Sequence, residues 1–248
     1  MENDLNGRSA LVTGSSRGIG RAVGLHLASA GCRVCFHGSR ESGMLASAAA
    51  SAGGGAETVV ADILDPEAVA ALAVSLRERG AAPDILVINA SVQSYMGVEN
   101  FSGGEFQRMF RANVESSCIL LRELLPPMRE RRWGRVVFIG SINGIRPAPR
   151  LAVYAAAKAA LMNIARTAAK ENASFGITVN TILPGVIETD RNAEALKDEA
   201  FAAGLRAEIP MHRFGTVRDC AAAVAFLASP DAGYITGAEI PVAGGWQL

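Results

Sequence analysis

Two residues four apart are the first that invite chemistry: Tyr154 and Lys158, in the run LAVYAAAKAA. The run is alanine-rich and so favours a helix. In a helix, positions i and i+4 share one face, about 6 Å apart along the axis. A phenol and an ammonium placed there meet the same ligand. A free tyrosine, with a pKa near ~10, is a poor acid or base at neutral pH. A neighbouring ammonium favours the phenolate and lowers that value. The pair therefore suits a proton moved to or from an oxygen. Ser141, thirteen residues before Tyr154, adds a hydroxyl. Taken alone, Tyr-x-x-x-Lys is a short motif, and an ordinary surface helix accounts for it as well.

The elements that must position these residues follow from the hydrophobic pattern. Strand-like runs fall at Ser9–Thr13, Arg33–His37, Glu57–Ala61, Ile85–Asn89, Arg135–Ile139, Thr178–Leu183 and Glu239–Val242. Helical patterns lie between them, at Gly18–Ser29, Glu41–Ala52, Pro66–Arg79, Gly104–Arg131, Leu151–Ala173 and Arg218–Ala228. Alternation of this kind predicts a parallel sheet with helices on both faces. Several strands are apolar throughout, as strands covered on both faces are. No Pro/Gly/Ser tract or fixed-period repeat splits the chain. One doubly wound α/β domain over residues 1–248 is the simplest reading.

The carboxyl ends of such strands are where ligands bind, and the sequence puts suggestive residues there. The first strand runs into Thr13-Gly-Ser-Ser-Arg-Gly-Ile-Gly20. Gly14, Gly18 and Gly20 permit a tight turn and close approach of a ligand. The helix that follows aims free N–H groups at an anion such as a pyrophosphate. Ser16, Arg17 and Ile19 belong to the same loop. The second strand ends in Gly38-Ser39-Arg40, with no carboxylate for a ribose diol. Arg17 and Arg40 suit a 2′-phosphate instead, which predicts NADP(H) over NAD(H), with NAD(H) still possible. Asp62 and Ile63 end the third strand, and Asp65 before Pro66 fits a helix cap. Asn89, Ala90 and Ser91 end the fourth. Asn113 lies within a helical pattern that Asn does not favour. Ser141 ends the fifth strand. Pro184, Gly185, Ile187 and Thr189 follow the sixth. Beyond them the chain to about Pro210 is charged and alanine-rich, and is expected to form a less ordered helical flap over the site.

Composition narrows the function. Half of the 248 residues are hydrophobic and the formal net charge is zero, so neither nucleic acid nor an anionic membrane is an expected partner. No apolar run reaches the roughly 18–20 residues of a membrane span. The start, MENDLNGRSALVTG, lacks the order of a signal peptide, and a cytoplasmic protein is expected. Cys32 and Cys35 form a C-x-x-C, but on a strand i and i+3 face opposite ways, and no second pair completes a metal shell. No metal is expected. Cys118 and Cys220 are expected to be buried apolar residues.

In this order and spacing, TGSSRGIG at 13–20, Asp62, Asn89-Ala90, Asn113, Ser141, Tyr154-x-x-x-Lys158 and PGVIET at 184–189 resemble the short-chain dehydrogenase/reductase family along nearly the whole chain. The resemblance implies a seven-stranded Rossmann sheet binding a nicotinamide dinucleotide. It implies that Tyr154 gives a proton to a substrate carbonyl, or takes one from an alcohol. Lys158 would hold the nicotinamide ribose and lower the tyrosine pKa. Ser141 would bond the substrate oxygen, and Asn113 would support a water linking Lys158 to solvent. A homotetramer is also implied, with the apolar tail at Trp246 and Leu248 as an interface element. Two departures stand out: Ile88-Asn-Ala-Ser91 where Asn-Asn-Ala-Gly is usual, and Val242-Ala before Gly244-Gly245.

PGVIETD, IPMHRFG and YITGAEIPVAGG look most like the β-ketoacyl-carrier-protein (3-oxoacyl) reductases. The expected activity is NADP(H)-dependent reduction of a 3-oxoacyl thioester or similar small ketone. A sugar or polyol dehydrogenase and a non-catalytic dinucleotide sensor are the alternatives. Gln93, Arg146 and Arg150 would meet a polar substrate, Met96 and Ile145 an apolar one. Arg129, Arg131 and Arg132 form a basic knot, either a carrier-protein contact or a helix-end charge cluster.

Overall fold

The structure is a computed structural model and describes residues 5–248. The first four residues of the polar start lie outside it. Seven parallel strands form one sheet in the order β3-β2-β1-β4-β5-β6-β7. They are β1 (Ser9–Val12), β2 (Arg33–Gly38), β3 (Glu57–Val60), β4 (Ile85–Ile88), β5 (Gly134–Ile139), β6 (Ile177–Pro184) and β7 (Glu239–Val242). The helices are α1 (Gly18–Ser29), α2 (Gly43–Ala52), α3 (Pro66–Glu78), α4 (Gly103–Phe110), α5 (Ser116–Arg131), α6 (Ala152–Asn172), α7 (Asp190–Ala193), α8 (Glu199–Glu208) and α9 (Val217–Ala228). The order reverses between β1 and β4, which opens a crevice at their carboxyl ends.

Two cores explain why the central strands are apolar on both sides. On one face Val23 and Leu27 of α1, Leu45 of α2 and Val224 of α9 pack against Val12, Phe36, Val87 and Val137. On the other, Val69 of α3, Leu120 and Leu124 of α5 and Leu161 of α6 pack against Leu11, Leu86, Val136 and Phe138. Cys32 belongs to the first core and Cys35 packs against the second, so the C-x-x-C is divided by the sheet. Cys220 is buried, but Cys118 is exposed, contrary to expectation. It stands on the outer face of α5, whose inward stripe is Leu120, Leu124 and Met128.

The long helical pattern at 104–131 is not one regular helix. A π turn at Arg111–Glu115 joins α4 to α5. The serines just beyond it bond back to it: Ser116 Oγ donates to Ala112 O at 2.6 Å and Ser117 Oγ to Asn113 O at 2.8 Å. Hydroxyls at i and i−4 satisfy carbonyls that the wide turn displaces. Helix α2 starts two residues later than expected because Ser42 caps it, accepting from Leu45 N at 3.2 Å. Asp65 caps α3 as expected, accepting from Glu67 N and Ala68 N.

Each arginine of the basic knot makes a hydrogen bond within the chain. Arg129 donates to Asn172 Oδ1 at 2.6 Å, Arg131 to Pro83 O at 2.9 Å, and Arg132 to Ser174 O at 3.0 Å. All three tie the end of α5 to neighbouring chain.

Candidate active site

The carboxyl edge of the sheet gathers most of the residues singled out from the sequence. Gly14 has φ +62°, and a Cβ there would meet Ala90 Cα at 2.9 Å. A Cβ on Gly20 would strike Gly14 O and the Asn89 side chain. The glycine loop therefore lies against the end of β4 with no room for side chains. Asn89 secures this contact, donating from Nδ2 to Thr13 O at 2.8 Å and Gly14 O at 2.9 Å. Thr13 Oγ1 in turn accepts from Asn89 N and Ala90 N, at 2.9 and 3.0 Å. Across the crevice, a Cβ on Gly18 would lie 3.7 Å from Thr189. The segment from Pro184 to Thr189 is held by Gly185 N to Val242 O at 3.0 Å and by a parallel bridge from Ile187 to Gly215. Such a cradle, backbone-lined and open toward the first turn of α1, fits a dinucleotide.

His37 is the unforeseen support of the cradle. Gly14 N–H donates to its Nδ1 at 3.0 Å, so Nε2 carries the proton and faces Ala61 O at 3.0 Å. The ring is buried and must stay neutral to accept from Gly14; burial pushes its pKa below the usual value. One side chain thus joins the ends of β1, β2 and β3. Beside it, Ser39 and Arg40 are exposed, and Arg40 makes no ion pair among the described residues. Asp62 is also exposed; it accepts from Leu64 N at 3.0 Å in a local turn. Ile63 is buried at the edge of the cradle.

The chemical wall is formed by β5 and α6. Gly140 fits tightly, since a Cβ would meet Leu183 and Thr181 at 2.8 Å. Ser141 then leaves the sheet and caps a short turn, its Oγ accepting from Asn143 N at 3.1 Å. Tyr154 and Lys158 share the inner face of α6, at 6% and 3% exposure. Lys158 Nζ donates to Ile139 O at 2.8 Å and lies 5.7 Å from the Tyr154 ring centroid. Burial without a carboxylate partner pushes Lys158 down to about 7, and the charge of Arg191 pushes the same way. Burial also raises the Tyr154 pKa; the charge of Arg191 and a hydrogen bond with Ser141 oppose it. On balance the phenol is shifted upward.

Asn113, placed inward by the π turn, spends its amide on the loop after β4. Oδ1 accepts from Val92 N at 3.1 Å and Nδ2 donates to Val92 O at 2.9 Å. Val92 packs against Tyr154 and Leu151. Asn113 therefore fixes the far wall of the tyrosine pocket. Met96 packs on the same cluster. Arg146 meets Glu208 at 2.8 Å and lies over the Trp246 ring. Trp246 also donates to Glu208 at 3.2 Å.

The segment expected to form a flap holds the helices α7 and α8. Asp190 faces Arg17 at 3.8 Å. Arg191 reaches the other way, donating to Ser91 O at 3.0 Å and to Ser91 Oγ at 3.2 Å. Arg191 and His37 were missed at the level of sequence. A charged residue directly after PGVIETD was the available sign of the first; nothing local marked the second. Among the described residues, no group of three or more His, Cys, Asp or Glu is arranged to hold a metal, and no helix is long and apolar enough to cross a membrane.

Comparison with known proteins agrees with this geometry. Residues 14–247 match the family model described as enoyl-(acyl carrier protein) reductase. The 3-oxoacyl-[acyl-carrier-protein] reductase of Haemophilus influenzae is 38% identical over 98% of this chain and all of its own. A crystal structure of a 3-oxoacyl (acyl-carrier-protein) reductase from Agrobacterium tumefaciens with NADP bound is 37% identical. It superposes with a TM-score of 0.93 over 98% of this chain and 95% of its own. Another from the same organism, provisionally assigned as a gluconate dehydrogenase, is 33% identical with a TM-score of 0.95, covering 100% and 98%. The chain belongs to the short-chain dehydrogenase/reductase family and is an NAD(P)-dependent oxidoreductase.

Proposed function

We propose that the chain is an NADPH-dependent reductase of small ketones, with a 3-oxoacyl thioester as the first substrate class to test. The observation that carries the reading is the buried Tyr154 phenol, gathered with Ser141 and Lys158 at the carboxyl edge of β5. Burial keeps the phenol protonated at neutral pH, so it has a proton to give. Ser141 and Tyr154 receive the carbonyl oxygen, and Tyr154 gives it a proton. Lys158 holds the ribose that the crevice admits and stabilises the phenolate left behind. A bound nicotinamide supplies the hydride. Asn113 keeps Val92 against Tyr154, so the substrate oxygen meets the phenol in one orientation.

The reading prefers NADPH because Gly38 stands where a ribose-binding acid would, with Arg40 and Arg17 nearby. The named relatives, one bound to NADP, support both cofactor and thioester. A second reading, oxidation of a sugar acid or polyol, is favoured by the cation Arg191 beside the tyrosine and by the gluconate-type relative. An apolar groove lined by Leu121, Leu125 and Ile164 between α5 and α6 supports assembly with further copies of the chain, as a homotetramer.

The deciding experiment follows NADPH oxidation by absorbance with an acetoacetyl thioester, a β-keto ester, a keto sugar and a cyclic ketone, with NADH alongside. Turnover fastest on the thioester with NADPH is the expected result. Turnover only of a sugar or polyol substitutes the second reading. Tight NADPH binding without any turnover abandons the enzyme reading for a sensor, and an NADH preference removes the 2′-phosphate assignment.

A further inference from the structure

The cations around the crevice are unequal. Arg146 is paired with Glu208, Arg108 with Glu105, and Arg17 faces Asp190. Arg191 makes no ion pair among the described residues. Its guanidinium is instead held by neutral oxygens, the carbonyl and hydroxyl of Ser91. That hydroxyl exists only because Ser stands at the fourth position of Ile88-Asn-Ala-Ser91. The next residue, Val92, packs against Tyr154. Arg191 therefore hangs from the flap to the lip of the tyrosine pocket. Its charge is felt at both Tyr154 and Lys158, neither of which has a carboxylate partner. Glu105, Asp190 and Glu208 are each paired with another arginine, and Glu188, on the same segment, forms no ion pair with Arg191 among the described residues. A planar fork of N–H donors with an unneutralised charge is what a carboxylate binds, two oxygens to two nitrogens.

We infer that Arg191 is a specificity-determining residue that receives the carboxylate of an oxo acid whose carbonyl oxygen lies on Ser141 and Tyr154. The inference rests on the ketone-reductase reading and names a charged substrate class for that same site. Ser91 serves as the rest position: its neutral oxygens hold the guanidinium over the pocket and yield it to an anion at small cost. No covalent step is added, since the acid group is bound and not transformed.

The test compares acetoacetate and levulinate with their methyl esters, which keep the ketone and lose the charge. Wild-type enzyme is set against R191M and R191K. The ratio of kcat/KM for acid over ester should fall by about 10–100-fold in R191M, the loss typical of a charge-assisted pair. R191K should recover part of it, because the charge returns without the fork. Arg191 is exposed on a four-residue helix, and thermal melting of each variant verifies folding.

A second readout needs no turnover. Calorimetric titration of acetoacetate into the enzyme–NADP⁺ complex should show binding that weakens by the same factor in R191M. Arg191-dependent binding without turnover of any ketone would uphold this inference while refuting the reductase reading. An unchanged acid-to-ester ratio overturns the inference even if both esters are reduced. So does acid that fails to bind the wild-type complex. A rise in the KM for NADPH at constant ratio also overturns it, assigning the guanidinium to the cofactor phosphates.

Discussion

The two sides of the crevice are built on opposite principles. In the wall made by β5 and α6, the strand is buried through its whole length and the helix along its inner face, and the working groups are held by backbone: Lys158 by Ile139 O, Ser141 by Asn143 N. The flap made by α7 and α8 is mostly exposed, apart from a small cluster of Ala202 and Leu205 with Phe214, and its side chains reach distant parts of the chain: Arg191 to Ser91, Asp190 to Arg17, Glu208 to Arg146. Burial shifts pKa values and fixes orientation, which proton transfer requires. Exposed polar contacts are cheap to break and remake, which admission and selection of ligands require. The contrast predicts that changes in the wall are large and act on rate or global stability. Changes in the flap should be small and act on binding.

The largest effect is expected at the phenol. Tyr154→Phe keeps the ring within its cluster of Val92, Leu151 and Met109 and removes only the hydroxyl. The rate of ketone reduction should fall by about 10²–10⁴-fold, the usual worth of a positioned acid. NADPH affinity, read by fluorescence titration, should change little. A comparable loss of cofactor affinity would mean that the wall binds more than it catalyses, and the division between the two sides would fail.

Lys158 comes next, and there the sign is informative. Its folded-state pKa, about 7, lies below the ordinary lysine value. The unfolded chain therefore holds this proton between about pH 7 and 10.5 while the folded chain has released it. Stability linked to this group is fully present above the unfolded value and is lost as pH falls toward 7. Lys158→Met removes that slope. The variant should melt higher than wild type at pH 7, with the difference shrinking toward pH 10, while losing reductase activity. Equal melting temperatures at pH 7 would show that Ile139 O compensates the buried ammonium, and that the wall carries no stability cost for its function.

Much of the wall was legible in the sequence because its signals are local. The strand before Gly140-Ser141 runs apolar from Val136 to Ile139, and Tyr154 and Lys158 are set four apart on an alanine-rich helix. The one local misreading, a regular helix through Asn113, arose because a π turn adds its residue without interrupting the apolar stripe. Asn113, Ser116 and Ser117 together were its trace. The flap was legible only as charged and helical. Which residue Arg191 would reach depends on Ser91, a hundred positions away, and no periodicity encodes that. His37 escaped for the same reason: a histidine in a strand looks ordinary until Gly14 and Ala61 are brought to its two nitrogens. Cys118 was misplaced because helical periodicity gives a stripe but not its outer limit.

The smallest expected effect is at Asp190, and it tests the flap most directly. Asp190 and Arg17 are 69% and 64% exposed and 3.8 Å apart, so the pair is worth about 0–1 kcal/mol and is screened by salt. Asp190→Asn should leave the melting temperature unchanged. Arg17 stands in the glycine loop, where the cradle faces Thr189, and its charge is shared between Asp190 and any phosphate the cradle holds. Removing the carboxylate frees that charge. NADPH should then bind about twofold more tightly at low salt, and the gain should vanish at 0.5 M salt, where the Debye length is only a few ångström. A twofold shift is measurable by titrating both proteins side by side, and its disappearance in salt separates electrostatics from any change of loop shape. If Asp190→Asn instead lowers the melting temperature by several degrees, the flap is a structural brace, and its exposed contacts would have to be counted with the wall.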